Sequence, residues 1–108
     1  MTRVWAWVWM RTESTHSGAR FQFDRVAVQG EEARYRVTVS WAEAASLPAG
    51  ESQITVTLRP NACNVGEPSG ALAPWMRESV TAFARVLAKN YDAEAGWPRL
   101  VHRWRPAK

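Results

Sequence analysis

The 108-residue chain has a single cysteine, Cys63, and therefore cannot form an intrachain disulfide. This scarcity favours a reducing, cytoplasmic compartment. The longest apolar run covers only residues 4–10, which is too short to cross a bilayer and too rich in tryptophan for a signal peptide. We therefore expect a cytoplasmic protein with no membrane partner.

The sequence also has few of the residues that support nucleophilic or metal chemistry. His16 and His102 are the only histidines. A histidine can generate a cysteine thiolate for catalysis, but no nucleophile signature surrounds Cys63, and a small loop thiol is the simpler interpretation. The chain has no closely spaced metal ligands and no phosphate-binding glycine loop. We therefore expect no cofactor and no metal, and a cysteine-dependent enzyme is only a third hypothesis.

Acidic residues are missing from the end of the chain. The formal net charge is +4, and residues 99–108 contain four basic side chains and no acidic one. The first 98 residues carry equal numbers of basic and acidic side chains. The excess positive charge therefore belongs to a C-terminal segment, residues 97–108, and not to the surface as a whole.

Tryptophan, in contrast, is abundant, and Trp5, Trp7 and Trp9 occupy alternate positions near the start of the chain. Strand alternation would place these three indoles on one face of a strand over residues 3–10. The intervening residues are apolar too, so this strand needs cover on both faces, because a soluble monomer rarely exposes such a patch. We expect the cover to come from the C-terminal segment or from a second copy of the chain.

Periodicity predicts the elements that follow the first strand. Phe21 and Phe23 share one face of the next strand, and the later apolar positions change phase, which predicts a β-bulge near Asp24 and Arg25. Residues 60–74 are predicted to form a long loop. The remaining predictions are strands over residues 20–29, 33–41, 52–59 and 99–105, and a helix over about 74–90.

The helix begins at Pro74, which suits a first turn, and its apolar residues recur at helical spacing. Its predicted sheet-facing stripe consists of Met76, Val80, Phe83 and Leu87, broadened by Ala84 and Val86. The element order β-β-β-β-α-β in one domain, residues 1–108, predicts an α+β fold with a mainly antiparallel sheet of about five strands. The alternative is a small β-barrel of the SH3-like or Sm-like kind, with a helix inserted before its last strand.

The C-terminal segment mixes cations with indoles, as nucleic-acid-binding proteins do. The candidate contacts are Arg99, Arg103, Trp104 and Arg105, with Arg34 and Arg36 as possible additions. Alternation places Leu100, His102 and Trp104 on one face and Val101, Arg103 and Arg105 on the other. This pattern also describes a half-buried edge strand protected by arginines.

Three functional hypotheses follow from the sequence. The first is a non-enzymatic interaction or self-assembly module, a homodimer or a binder of another protein, which uses Trp5, Trp7 and Trp9. The alternative is a nucleic-acid-binding module that uses the basic C-terminal segment. The third is an enzyme that uses Cys63 with a histidine.

Overall fold

The computed structural model describes residues 18–42 and 49–106. The predicted first strand, with Trp5, Trp7 and Trp9, lies outside these residues, as does His16. The described elements are β1 (Gly18–Gln29), β2 (Glu32–Trp41), β3 (Gly50–Arg59), β4 (Ala62–Val65), α1 (Pro74–Lys89) and β5 (Leu100–Pro106).

All five strands belong to one antiparallel sheet with the order β4-β3-β2-β1-β5. The sheet curls into a half-barrel, and α1, the one helix among the described elements, lies between β4 and β5 in the chain. The α+β prediction is confirmed in this form, and the SH3-like alternative is compatible with it. No helix in the described part of the chain is long and apolar enough to span a membrane.

The central strands form because their side chains alternate strictly between apolar and polar. Val37 and Val39 of β2 and Val56 and Leu58 of β3 are fully buried, whereas the residues between them face outwards. The register pairs Val37 with Ile54 and Val56 with Tyr35, so the apolar positions of both strands share the face that packs on α1. The sheet therefore has one face in the core and one polar face, which we call the inner and outer face.

The predicted β-bulge is present. Arg25 pairs with Tyr35 and Ala27 pairs with Arg34, so Val26 is the extra residue. The bulge leaves the Arg25 side chain on the inner face, where its guanidinium donates a 2.6 Å hydrogen bond to the backbone oxygen of Trp97. It thereby connects the sheet to the segment that leads into β5.

The predicted loop over residues 60–74 is wrong in its first part, because residues 62–65 form β4. Asn61 has a φ of 62° and, with Pro60, closes a two-residue turn between β3 and β4. Asparagine tolerates this left-handed conformation better than most residues. The new strand is only four residues long, and its inner-face side chains are Cys63 and Val65.

The helix ends at Lys89, one residue before its predicted end, and its buried stripe differs from the prediction. Met76, Val80, Ala84 and Ala88 form the buried face, together with Ser79. Phe83 and Leu87 are only partly buried at the side that faces β1 and β5. Val86 is 52% exposed, so its assignment to the core stripe is wrong. Small alanines face the sheet because the curled strands approach the helix closely there.

The segment between α1 and β5 is anchored in the core rather than extending from the domain. Trp97 is 3% exposed, stacks on Tyr91 at 4.5 Å between ring centroids, and donates its indole N–H to the backbone oxygen of Glu31. The hydroxyl of Tyr35 donates a 2.5 Å hydrogen bond to the backbone oxygen of Pro98. Burial raises the pKa of Tyr35 to about 12, and the positive charge of Arg25 partly opposes this rise.

Candidate interaction site at the β5 edge

The strand β5 lies at one end of the sheet and pairs only with β1 in the described part of the chain. The backbone N–H of Arg25 donates to the backbone oxygen of Arg99, which fixes the hydrogen-bonding phase of this pair. Because bonding alternates along an antiparallel ladder, Val101 and Arg103 bond to β1. The N–H and C=O groups of Leu100, His102 and Trp104 therefore point towards the open edge.

Exposed apolar side chains border this open edge on the outer face. Leu100 is 49% exposed and Trp104 is 44% exposed. The register places Leu100 opposite Asp24 and Trp104 opposite Arg20. Large apolar side chains in a polar surface mark a contact site when they lie together.

The inner face beside the same edge contains an apolar cleft. The helix crosses nearest to β3 and β4, which leaves a cavity of about 250 Å³ between α1 and β5. The cavity is lined by Ala82, Phe83, Val86, Leu87, Val101, Arg103 and Arg105. The edge of β5 is thus bordered by exposed apolar surface on both faces.

The structure separates the residues predicted to contact nucleic acid. Trp104 is on the outer face, whereas Arg103 and Arg105 are on the inner face beside the cleft. The Arg105 guanidinium carbon lies 4.9 Å from the centroid of the Phe83 ring, which is a cation–π contact. The backbone of Arg99 serves as the acceptor for Arg25. The predicted alternation of β5 is confirmed, and among the described strands β5 lies at one end of the sheet.

The side chain of Arg103 also protects the edge directly. Its guanidinium donates a 2.8 Å hydrogen bond to the backbone oxygen of His102, one of the groups that point outwards. Charged side chains on an edge strand are a common defence against unwanted pairing. A strand that adds to β5 would compete with this guanidinium for the outward carbonyl of His102.

The outer face of the sheet carries the other arginines considered from sequence. Arg34 and Arg36 project from β2 on this face, and Arg36 lies opposite Asp24. Arg20 lies between Trp104 and Ser40 across three strands.

The hypothetical Cys63–His102 pair does not form, because Cys63 is on β4 and His102 on β5, at opposite ends of the sheet order. Across residues 18–42 and 49–106, no three metal-ligating side chains come together.

Two features of the edge were missed by sequence reasoning. Val86 was assigned to the core, although its position relative to the stripe at Met76, Val80 and Ala84 would place it on the side of the helix. The cleft itself follows from where the helix crosses the sheet, which periodicity does not specify.

Comparison of the chain with protein-family models, curated proteins and solved structures gives no significant match.

Proposed function

We propose that this protein is a non-enzymatic self-assembly module, in which the N-terminal apolar segment of one copy adds as a strand to the open edge of β5 in a second copy. The observation that supports this is the pair of apolar surfaces along that edge. On the outer face these are Leu100 and Trp104, and on the inner face Val86 borders the cleft.

The sequence of residues 4–10 has the pattern that such an edge requires. It is apolar at every position, and in a strand Trp5, Trp7 and Trp9 would share one face. A strand along β5 would direct one set of side chains towards the cleft at Phe83. The other set would lie beside Leu100 and Trp104 on the outer face. Both faces of the added segment, residues 4–10, would thereby gain apolar contacts.

The energies make this association feasible. Three buried indoles remove about 150–250 Å² each, which at about 25 cal/mol per Å² gives an upper bound of about 11–19 kcal/mol. Association costs about 4–15 kcal/mol in lost freedom and ordering.

The connection to β1 favours a segment from a second copy. Gly18 pairs with Pro106 at the end of β5. To lie antiparallel along its own β5, residues 4–10 would have to end near Leu100, and residues 11–17 would run back along the seven residues of β5. At about 3.3 Å per residue this needs a nearly fully extended connection. A second copy avoids the restriction and keeps the more stable antiparallel pairing.

Reciprocal exchange of the segment would give a closed two-fold dimer. Direct pairing of β5 with β5 is disfavoured, because it would bring Arg103 and Arg105 of two copies together with no acidic side chain on the strand. Exchange places residues 4–10, which carry no charge, between the two basic edges.

Sedimentation velocity of the full chain at micromolar concentration tests this function. We expect a dimer for the wild type and a shift to monomer for Trp7→Ala, with an unchanged far-UV circular dichroism spectrum of the folded domain. Val28→Ala is the control, because Val28 is 49% exposed but lies four residues beyond Asp24, the last residue of β1 in the register with β5. A monomeric wild type, or a dimer that tolerates Trp7→Ala, contradicts the proposal.

A second candidate is single-stranded nucleic-acid binding at the outer face. It is favoured by one observation, the cross-strand pairing of Trp104 with Arg20 on the face that also carries Arg34 and Arg36. Stacking on the indole and phosphate contacts from the arginines would then act together. Binding should weaken steeply with salt, and Arg36→Gln should reduce the salt slope. Absence of binding at low salt contradicts this candidate.

A further inference from the structure

We propose that the groove between β4 and α1 binds an extended protein segment that carries carboxylates. This groove is at the other end of the sheet from β5 and is independent of the self-assembly proposal. It is a cavity of about 490 Å³, within the size range of ligand sites. Its lining residues are Asn61, Ala62, Cys63, Asn64, Val65, Thr81, Arg85, Ala88 and Lys89.

The backbone of β4 supplies the hydrogen-bonding groups for an added strand. The N–H of Gly66 donates to the oxygen of Thr55, which fixes the bonding phase of the β3–β4 ladder. By alternation, Ala62 and Asn64 bond to β3, and the N–H and C=O groups of Cys63 and Val65 point away from it. In the described ranges, no other strand pairs with that side of β4.

The helix forms the second wall of the groove. The N–H of Asn61 donates a 3.0 Å hydrogen bond to the backbone oxygen of Ala88, which joins β4 to the helix at the turn end. From there the strand and the helix border the cavity together. An extended segment in this space would add main-chain bonds to β4 and direct alternate side chains towards α1, as in β-strand addition.

The charge of the groove indicates what the segment carries. Arg85 and Lys89 are the only charged residues in the lining, and both are cations one helical turn apart. Asn61, Asn64 and Thr81 add uncharged hydrogen-bonding groups. Carboxylates complement this arrangement, because an arginine can bind them through two parallel hydrogen bonds and a lysine through its compact charge.

The probes are three soluble peptides with the same valine and threonine framework, which differ only in carrying glutamate, glutamine or lysine at alternate positions. Cys63 reports occupancy, because it is the single cysteine of the chain and lines the groove. We measure how each peptide slows alkylation of the full-length protein by iodoacetamide, a neutral reagent. The glutamate peptide should protect Cys63 with saturable concentration dependence, and the other two should protect at least about tenfold more weakly.

Variants test the charge contacts from α1 and the main-chain hydrogen bonds from β4 separately. Arg85→Gln should weaken protection by the glutamate peptide about tenfold, whereas Arg34→Gln on the outer face should leave it unchanged. Val65→Pro removes one outward N–H and should abolish protection, whereas Val65→Ile keeps that N–H and should retain it. Circular dichroism of each variant verifies that the fold is intact.

Equal protection by all three peptides shows that charge does not select the occupant and overturns the proposal. Absence of protection at millimolar glutamate peptide also overturns it, and Arg85 and Lys89 then only shield the edge. Retained protection in a folded Val65→Pro variant overturns strand addition. None of these outcomes bears on the dimer, because the sedimentation of Trp7→Ala is measured without peptide.

Discussion

The indole of Trp104 lies directly over Gly18 on the neighbouring strand, and a Cβ built on Gly18 would approach its Cε2 atom to 2.6 Å. The same kind of pair recurs between Trp41 and Gly50, where the built Cβ would lie 2.7 Å from Cζ2. In each pair the glycine gives the ring room to cover the backbone of the adjacent strand. The first pair fixes the position of an exposed indole at the β5 edge.

Gly18→Ala should therefore displace the Trp104 indole and destabilise the fold by about 1–3 kcal/mol, as overpacking does. Urea denaturation followed by circular dichroism measures the change. Gly70→Ala is the control, because a Cβ on Gly70 would meet nothing within 4 Å. Equal stability of Gly18→Ala and the wild type would show that the ring moves at no cost.

Tyr35 should make the stability fall at high pH. Its pKa is raised to about 12 in the fold, mainly by burial, from 10.0 in the unfolded chain. Between these values the folded state holds the proton and the unfolded state loses it, so stability is complete below pH 10 and decreases as the pH rises towards 12. At about 1.4 kcal/mol per unit, the loss reaches about 2–3 kcal/mol.

Tyr35→Phe should lose this dependence and also the hydrogen bond to Pro98, which contributes about 1 kcal/mol at neutral pH. Urea denaturation at several pH values between 8 and 12, compared with the wild type, measures both effects. The same decline in both proteins above pH 10 would assign it to another group.

Trp97 and Trp104 should differ strongly in their effect on stability, although they are seven positions apart in one basic segment. Trp97 is buried and holds the backbone of Glu31, so Trp97→Ala should cost about 3–5 kcal/mol. Trp104 is 44% exposed, so Trp104→Ala should cost clearly less. Thermal unfolding of both variants in parallel gives the comparison, and a reversed order contradicts the assigned burial.

Arg103→Ala should strengthen self-association, because it frees the outward carbonyl of His102 and removes one positive charge from the edge. Exposed charge interactions of this kind contribute up to about 1 kcal/mol, so the dimer dissociation constant should fall by up to about fivefold. Sedimentation equilibrium over a concentration series measures it. Weaker association of Arg103→Ala would mean that this arginine contacts the partner rather than protecting the edge.

Much of the fold follows from local patterns. The alternation in β2 and β3, the phase change at the bulge and the first turn at Pro74 each depend on a few neighbouring residues. Alternation also assigned the two faces of β5 correctly, because Val101 is buried while His102 and Trp104 are exposed.

What the sequence did not predict depends on long-range geometry. Four residues are too few for β4 to show a period, and its turn required a positive φ at Asn61. The burial of Ala84 and Ala88 in place of Phe83 and Leu87 depends on where the curled sheet approaches the helix. The cleft beside β5 and the groove beside β4 result from that same crossing, so neither candidate site could be placed from periodicity.

The central claim is that a strand adds to the open edge of β5, and His102 tests it most directly. The N–H of His102 points away from β1, so His102→Pro removes a bonding group that no ladder among the described strands uses, and an edge strand tolerates this change. His102→Val keeps the N–H and is the matched control. In sedimentation velocity at micromolar concentration, the account predicts a folded monomer for His102→Pro and a dimer for His102→Val and the wild type. A folded His102→Pro variant that remains dimeric would contradict strand addition at β5.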